Sequence, residues 1–271
     1  MITRLIKLSI TLIYFFCLRS IRLVRVLFRM DVHGTCVVLY YHSVRPDQKN
    51  KFEKQMDALL KFAQPVAANY SGKLEKGRHH AAVTFDDGYV SVLEQAVPIL
   101  VERNIPVAIF IASDFIGKDW DWSVASPENR ENPGGDERVM DVAQLKALPR
   151  PLVTLGSHTV THPKMTAIPA GEAEAEFKNS KSQLEFELNQ SMDLFAFPFG
   201  FFNEGLVQLA RKCGYKRVFT TQPVLYQSEL DAFEVGRVVM EPDMWPIEFK
   251  LKLLGGYAWF ASYLKFKQKF Q

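Results

Sequence analysis

Short apolar runs alternate with longer stretches of mixed polarity along most of this chain. Residues 37–41, 81–85, 107–111 and 153–157 are compact runs, partly β-branched, and another apolar run covers 235–239. Runs of that length bounded by turn residues read as buried strands. Between them, segments near 51–62, 91–103, 171–188 and 204–213 have the spacing of helices. Strands alternating with helices predict a parallel sheet or barrel with the helices outside it. Residues 117–138 break the alternation with Trp120-Asp121-Trp122 and the turn-rich Asn132-Pro133-Gly134-Gly135.

The two ends follow a different pattern. At 100° per residue, Arg4, Lys7, Thr11, Tyr14, Arg22, Arg25 and Arg29 fall on one narrow stripe. Leu5, Ile6, Ile10, Leu12, Ile13, Phe16, Leu23, Val24, Leu27 and Phe28 cover most of the rest. This pattern predicts a helix lying in a membrane surface, its arginines toward anionic headgroups. The uncharged stretch from Leu8 to Leu18 falls short of the ~20 residues needed to span a bilayer. An uncleaved signal-anchor and a plain packing helix are the competing readings; no small-x-small cleavage site follows. At the other end, Trp259, Tyr263, Phe266 and Phe270 recur at helical spacing among Lys265, Lys267 and Lys269. That helix suits the same surface, or the body of the protein. Three segments result: a membrane-associating stretch at 1–30, a main domain at 31–245 and an aromatic-basic helix at 246–271.

Composition sets bounds. The 271 residues are 48% hydrophobic and 23% charged, enough for one barrel-sized domain with a sizeable core. Cys17, Cys36 and Cys213 are scattered, which suggests neither a disulfide framework nor a cysteine-rich metal site. The net charge of +3 hides an uneven distribution. Residues 1–30 hold six basic side chains and no acid, and residues 250–271 hold five lysines and no acid. With those set aside, 22 basic residues face 30 acidic ones. Positive charge confined to two apolar ends argues against nucleic acid as a partner.

Candidate chemistry sits where two strands end. Asp86 and Asp87 follow the run at 81–85, and Gly88 lets the chain turn into a helix. Neighbouring side chains on a strand point to opposite faces, so the two carboxylates need not share a role. An aspartate here also suits a helix N-cap. His158 and His162 follow the run at 153–157. Four residues apart on a helical turn, both rings would share one face until Pro163 stops the helix. One carboxylate and two imidazoles make a three-ligand set for a divalent ion such as Zn²⁺, with a second carboxylate free to act as a base.

Thr84-Phe85-Asp86-Asp87-Gly88 followed by Ser157-His158-Thr159-Val160-Thr161-His162-Pro163 resembles the polysaccharide deacetylase family, the NodB-type carbohydrate esterases. The strand at 107–111 and the helix start at 140–145 extend the resemblance, which covers roughly 33–243. It implies an α/β fold: a distorted parallel (β/α) barrel of about seven strands, here with N- and C-terminal amphipathic helices. The site would lie at the C-terminal strand ends, as in other β/α barrels. Asp86 would be the general base, with Asp87, His158 and His162 as metal ligands.

Phe195-Ala196-Phe197-Pro198-Phe199-Gly200 resembles the family's third motif, Arg-x-Pro-Tyr/Phe-Gly. There Pro198 would rigidly present the Phe199 N–H to an oxyanion. Ala196 stands where that motif has an arginine that orients the base. Arg237 is the candidate replacement, or else an ordinary ion-pairing arginine. Most family members place an acid histidine late in the domain, and this chain has none after His162. Residues 37–44, ending Tyr41-His42-Ser43-Val44, resemble a circularly permuted branch that includes poly-N-acetylglucosamine deacetylases. His42 is therefore the expected acid, since imidazole can protonate a leaving amine near neutrality. His33, His79 and His80 are expected at the surface. Trp120 and Trp122 would either stack on sugar or anchor their loop.

The expected function is a metal-dependent N-deacetylase acting on a sugar of a polysaccharide or glycolipid precursor. The alternatives are an O-acetyl esterase on carbohydrate and a catalytically weak sugar-binding relative, the latter motivated by Ala196. A peripheral place on the cytoplasmic face of a membrane is expected, with the signal-anchor as alternative.

Overall fold

The computed structural model describes residues 2–119 and 137–261. Seven parallel barrel strands are built from eight segments: β1 (Thr35–Tyr41), β2 (His79–Phe85), β3 (Val107–Ile111), β4 (Val153–Ser157), β5 (Leu194–Ala196), β6 (Arg217–Thr220), β7 (Glu234–Gly236) and β8 (Val238–Val239). The spatial order is β7-β6-β5-β4-β3-β2-β1-β8. β7 pairs with β6 and β8 pairs with β1, both in parallel. Only Arg237 separates β7 from β8, so one stretch of chain meets both edges of the curled sheet and closes it.

Alternation along the strands divides the core. In β5, Leu194 and Ala196 join Cys36, Val38, Ala82, Ala108, Phe110, Phe219 and Val235 inside the barrel. Phe195 and Phe197 point outward, onto Phe177 and Leu206 of the outer helices. Val37, Leu39 and Tyr41 likewise face outward, onto Phe52 and Met56. This period of two lets strands of mostly apolar residues serve two cores at once.

The helices follow the sequence pattern closely: α1 (Ile2–Leu27), α2 (Lys49–Phe62), α3 (Val97–Glu102), α4 (Val142–Ala147), α5 (Ala170–Leu188), α6 (Glu204–Lys212) and α7 (Pro246–Leu253). Local chemistry sets several ends. Asp141 and Gln144 form a capping box at α4, Gln144 N donating to Asp141 Oδ1 at 2.8 Å. Asn203 caps α6. The helix expected at 91–103 is divided: Val92–Ala96 forms a wider turn, Val97 N–H bonding Val92 O, before α3 begins with Pro98 in its first turn.

The N-terminal helix differs from expectation in its orientation. Its basic stripe faces the barrel, not outward. Arg4 pairs with Glu248 at 2.6 Å, Lys7 lies over the Phe260 ring, and Arg22 donates to Gly77 O. Thr11 is fully buried, and Trp259 Nε1 donates to its hydroxyl at 3.0 Å. The uncharged side is turned away, with Ile13 67%, Phe16 65% and Leu27 70% exposed. Partners for the cations on α7, on the segment after it and in the loop before β2 explain the inversion. No helix among the described residues is long and apolar enough to cross a membrane. Tyr263, Phe266 and Phe270 of the expected C-terminal helix lie outside the described residues.

Candidate active site

All the motif residues collect at the C-terminal ends of the strands. His42 follows β1, Asp86 and Asp87 follow β2, His158 follows β4, Pro198 and Phe199 follow β5, and Arg237 lies between β7 and β8. Asp86, Asp87, His158, His162 and Arg237 are each at most 3% exposed.

Asp86 is held by Arg237. The guanidinium donates from both terminal nitrogens, at 2.6 Å to Oδ1 and 2.8 Å to Oδ2. It also donates to Thr84 Oγ1 at 3.1 Å and lies 4.6 Å from the Tyr40 ring centre. Phe110 and Phe219 complete an aromatic lining within 6 Å of the guanidinium. Burial alone would push the Asp86 carboxyl up, but the charge of Arg237 and its two hydrogen bonds hold it below the ordinary Asp value. Asp86 is therefore ionised near neutrality.

Asp87 is treated in the opposite way. Burial and then the neighbouring charge of Asp86 push its pKa well up. Among the described residues no lysine or arginine pairs with it; the groups facing Oδ1 are His158 Nε2 at 3.6 Å and His162 Nε2 at 3.5 Å. Burial lowers His158 to about 4 and takes His162 well below its usual value. Both imidazoles are thus neutral. His158 Nδ1–H donates to Ala196 O at 2.8 Å, leaving Nε2 as the lone-pair nitrogen aimed at Asp87.

These donors fit a divalent metal ion. One ligand atom from each of the three side chains lies within 4.8 Å of the others. Tetrahedral zinc with bonds of ~2.0–2.1 Å separates its ligand atoms by roughly 3.4 Å, close to the 3.5 and 3.6 Å seen here. A buried carboxylate facing neutral imidazoles is costly without a cation, and a cation among the three relieves it.

The loop carrying the histidines is not the helical turn expected from their spacing. Residues 158–162 are irregular, with Thr159 at φ +74° and His162 at φ +57°. Glu176 of α5 braces the loop, accepting from Val160 N at 2.7 Å, Thr161 N at 3.0 Å and Thr161 Oγ1 at 2.7 Å. Thr159 Oγ1 accepts from His162 N at 3.0 Å. Asp87 and Phe199 also have positive φ, +69° and +56°. Four left-handed non-glycine residues in one site mark backbone strain held by surrounding contacts. Gly88 answers two demands: its φ is +70°, and a Cβ there would lie 2.3 Å from Ile111 Cδ1.

His42 joins the site as a half-buried ring. It stands edge-on to Tyr40, centroids 5.6 Å apart, and near enough to Asp86 for their charges to interact. Burial lowers its pKa against the pull of Asp86. Phe199 packs its ring on His162, centroids 4.6 Å apart. Trp120 and Trp122 lie outside the described residues. Of the histidines expected at the surface, His80 is buried and His79 half-buried. His80 is 4% exposed, and His79 bonds Thr35 Oγ1 at 2.7 Å and Leu253 O at 2.6 Å. Both sit at the start of β2, where α7 covers the strand ends. Sequence reasoning missed Thr84, Tyr40 and Glu176. The first two alternate inward from the strands that carry Asp86 and His42, a signal available from period two alone.

A model of the polysaccharide deacetylase family matches residues 73–218, more than half of the chain. The chain belongs to this family. The Bacillus subtilis (strain 168) protein YxkH, provisionally described as a polysaccharide deacetylase, is 24% identical over 218 residues, 76% of this chain and 72% of its own. The structure of IcaB from Ammonifex degensii superposes with a TM-score of 0.67 at 25% identity, covering 82% of this chain and 100% of that one. Streptococcus pyogenes deacetylase PplD, solved in complex with acetate, superposes with a TM-score of 0.61 at 20% identity, covering 81% and 98%. The deacetylase family thus accounts for the barrel and for a hydrolase acting on acetylated carbohydrate.

Proposed function

We propose that this deacetylase releases acetate from the amide of an N-acetylated saccharide, using one divalent ion held by Asp87, His158 and His162, with Zn²⁺ the best match to two nitrogens and one oxygen. One observation carries the reading: two adjacent carboxylates in opposite electrostatic settings. Asp86 is paired with Arg237 and ionised, while Asp87 faces two neutral imidazoles. A bound ion would act as a Lewis acid on the acyl oxygen and its attacking water. Asp86 accepts the proton of that water. The Phe199 N–H donates to the oxyanion. His42 protonates the departing amine, which a sugar amide requires because an amide anion is a poor leaving group. Arg237 supplies from the closing strand the orientation that Ala196 lacks, which argues against a catalytically silent relative. Trp120 and Trp122 remain the candidates for stacking on the sugar.

The test is acetate release by the purified full-length protein from N-acetyl and O-acetyl oligosaccharides, with free amine measured in parallel. Acetate and amine should appear in equal amounts, stop on chelation and return with zinc. Release from O-acetyl substrates alone, or release indifferent to chelation, would overturn the reading.

A further inference from the structure

The barrel end opposite the site holds a cleft that catalysis does not use. It lies between the inner face of α1 and the starts of the strands, with Thr35 and His79 in its wall and a volume of about 810 Å³. That is the size of a small-molecule site. From Thr35 to Tyr41, β1 carries the chain from this cleft to the catalytic end, roughly 20 Å at ~3.3 Å per residue.

Its charge is one-sided. Arg19, Arg22 and Arg25 enter from successive turns of α1, and Arg78 from the facing wall. The carboxylate in the lining, Glu75, is already paired with Arg78 at 2.6 Å. Among the described residues, Arg22 and Arg25 reach only backbone oxygens, of Gly77 and Asp31. Arg19 stacks on Phe15 at 5.0 Å, and burial followed by the charge of Arg22 lowers its pKa. Phe15, Leu18, Leu225 and Leu254 make the other part of the lining apolar. The cleft is therefore amphipathic, with arginines suited to a phosphate. The roof of the cleft is α1, whose outer face runs Leu5, Ile6, Ile10, Ile13, Phe16, Leu23, Val24, Leu27 and Phe28, each at least 42% exposed and none charged. A helix of 26 residues gives that face a length of about 39 Å.

We propose that the cleft binds one anionic phospholipid, its phosphate on Arg19, Arg22 and Arg25 and its upper chains on Phe15 and Leu18, drawn from a membrane in which the outer face of α1 is embedded. The apolar face enters the lipid, and the basic stripe, turned inward, sits at headgroup depth. The active site then faces away from the bilayer. This inference does not rest on the catalytic reading.

The experiment uses the full-length protein in detergent micelles. Native mass spectrometry measures retention of phosphatidylglycerol, phosphatidylcholine and inorganic phosphate, and vesicle flotation follows with the two lipids. One phosphatidylglycerol should be retained per chain, in preference to phosphatidylcholine. Arg22→Gln with Arg25→Gln should weaken that retention roughly 30-fold, from about 1 kcal/mol per basic residue. Leu18→Trp, which keeps every charge and fills the cleft, should also expel the lipid. Variants are compared at matched melting temperature and metal content. Equal retention of both lipids, or a Leu18→Trp protein that keeps its lipid, would place any lipid elsewhere. Inorganic phosphate competing as well as the lipid would make this a free-anion site. A stable dimer in lipid-free solution that ignores vesicles would assign the outer face of α1 to a second copy.

Discussion

Arg237→Ala is the most informative single perturbation. The side chain is fully buried, forks onto both oxygens of Asp86, bonds Thr84, and fills space among Tyr40, Phe110 and Phe219. Removing it leaves an uncompensated carboxylate in the barrel mouth, which costs about 3–5 kcal/mol. Typical domains have about 5–15 kcal/mol in hand, so the variant should still fold. Urea denaturation should show a lower midpoint with an unchanged slope. Turnover should fall by up to ~10²–10⁴-fold, the span expected when a general base is lost. Metal content should stay full, because Arg237 touches none of the three ligands. Arg237→Lys keeps the charge but not the fork, and should fall between. The decisive variant adds Ala196→Arg to Arg237→Ala. Ala196 lines the same interior as Phe110 and Phe219, so an arginine there can reach toward Asp86 from β5. Part of the lost stability and rate should return. Ala196→Arg alone should destabilise the wild type by about 1–3 kcal/mol through overpacking. An Arg237→Ala enzyme with full turnover, or a stability loss below about 1 kcal/mol, would refute the assignment of Arg237 as the group that holds the base.

Asp87→Asn should stabilise the metal-free protein, because it removes a carboxylate that burial and Asp86 disfavour; chelation should lower the melting temperature of the wild type and leave that of the variant unchanged. His42→Ala should lose ~10²-fold or more on an N-acetyl sugar but little on p-nitrophenyl acetate, whose leaving group needs no proton, and equal losses on both would remove His42 from the acid role. His79 supplies a pH dependence of stability away from the site. Burial lowers it to about 4 in the folded state, so the unfolded chain binds the proton more readily between that value and about 6.5. Its contribution is complete above pH 6.5 and is lost as pH falls toward 4, by at most about 3 kcal/mol. His79→Gln should flatten that part of the pH–stability curve measured by denaturation, and an unchanged slope would contradict the buried neutral histidine.

Much of the site was legible because strand ends are legible. Apolar runs stopping at Asp86-Asp87-Gly88 and at His158 place those side chains at one end of a parallel barrel. Arg237 could be named as a substitute for the missing arginine because it follows an apolar run. The geometry of the histidine pair was not legible. Spacing by four suggested a helical turn, but Thr159 and His162 adopt left-handed conformations that no residue type announces, and Glu176, distant in sequence, holds them there. His79 and His80 were misjudged because polar residues at a strand start look exposed until α1 and α7 cover them. The roll of α1 was also hidden. Periodicity finds two faces of a helix, but only its partners, Glu248 on α7, Gly77 before β2 and Thr11's neighbour Trp259, decide which face turns in.

The closing strand has a consequence for how the enzyme comes into being. Every residue of the first two family motifs lies at or before position 163, yet the partner of Asp86 lies at 237, between the two half-strands that seal the barrel. β1 meets β8 across about 200 residues of intervening chain, a contact of high order that forms slowly. During synthesis, a nascent chain therefore carries Asp87, His158 and His162, the proposed metal ligands, well before Arg237 can hold Asp86, the proposed base. Catalytic competence should arrive last, with the insertion of residues 234–239, so that activity reports completion of the barrel and metal binding alone does not.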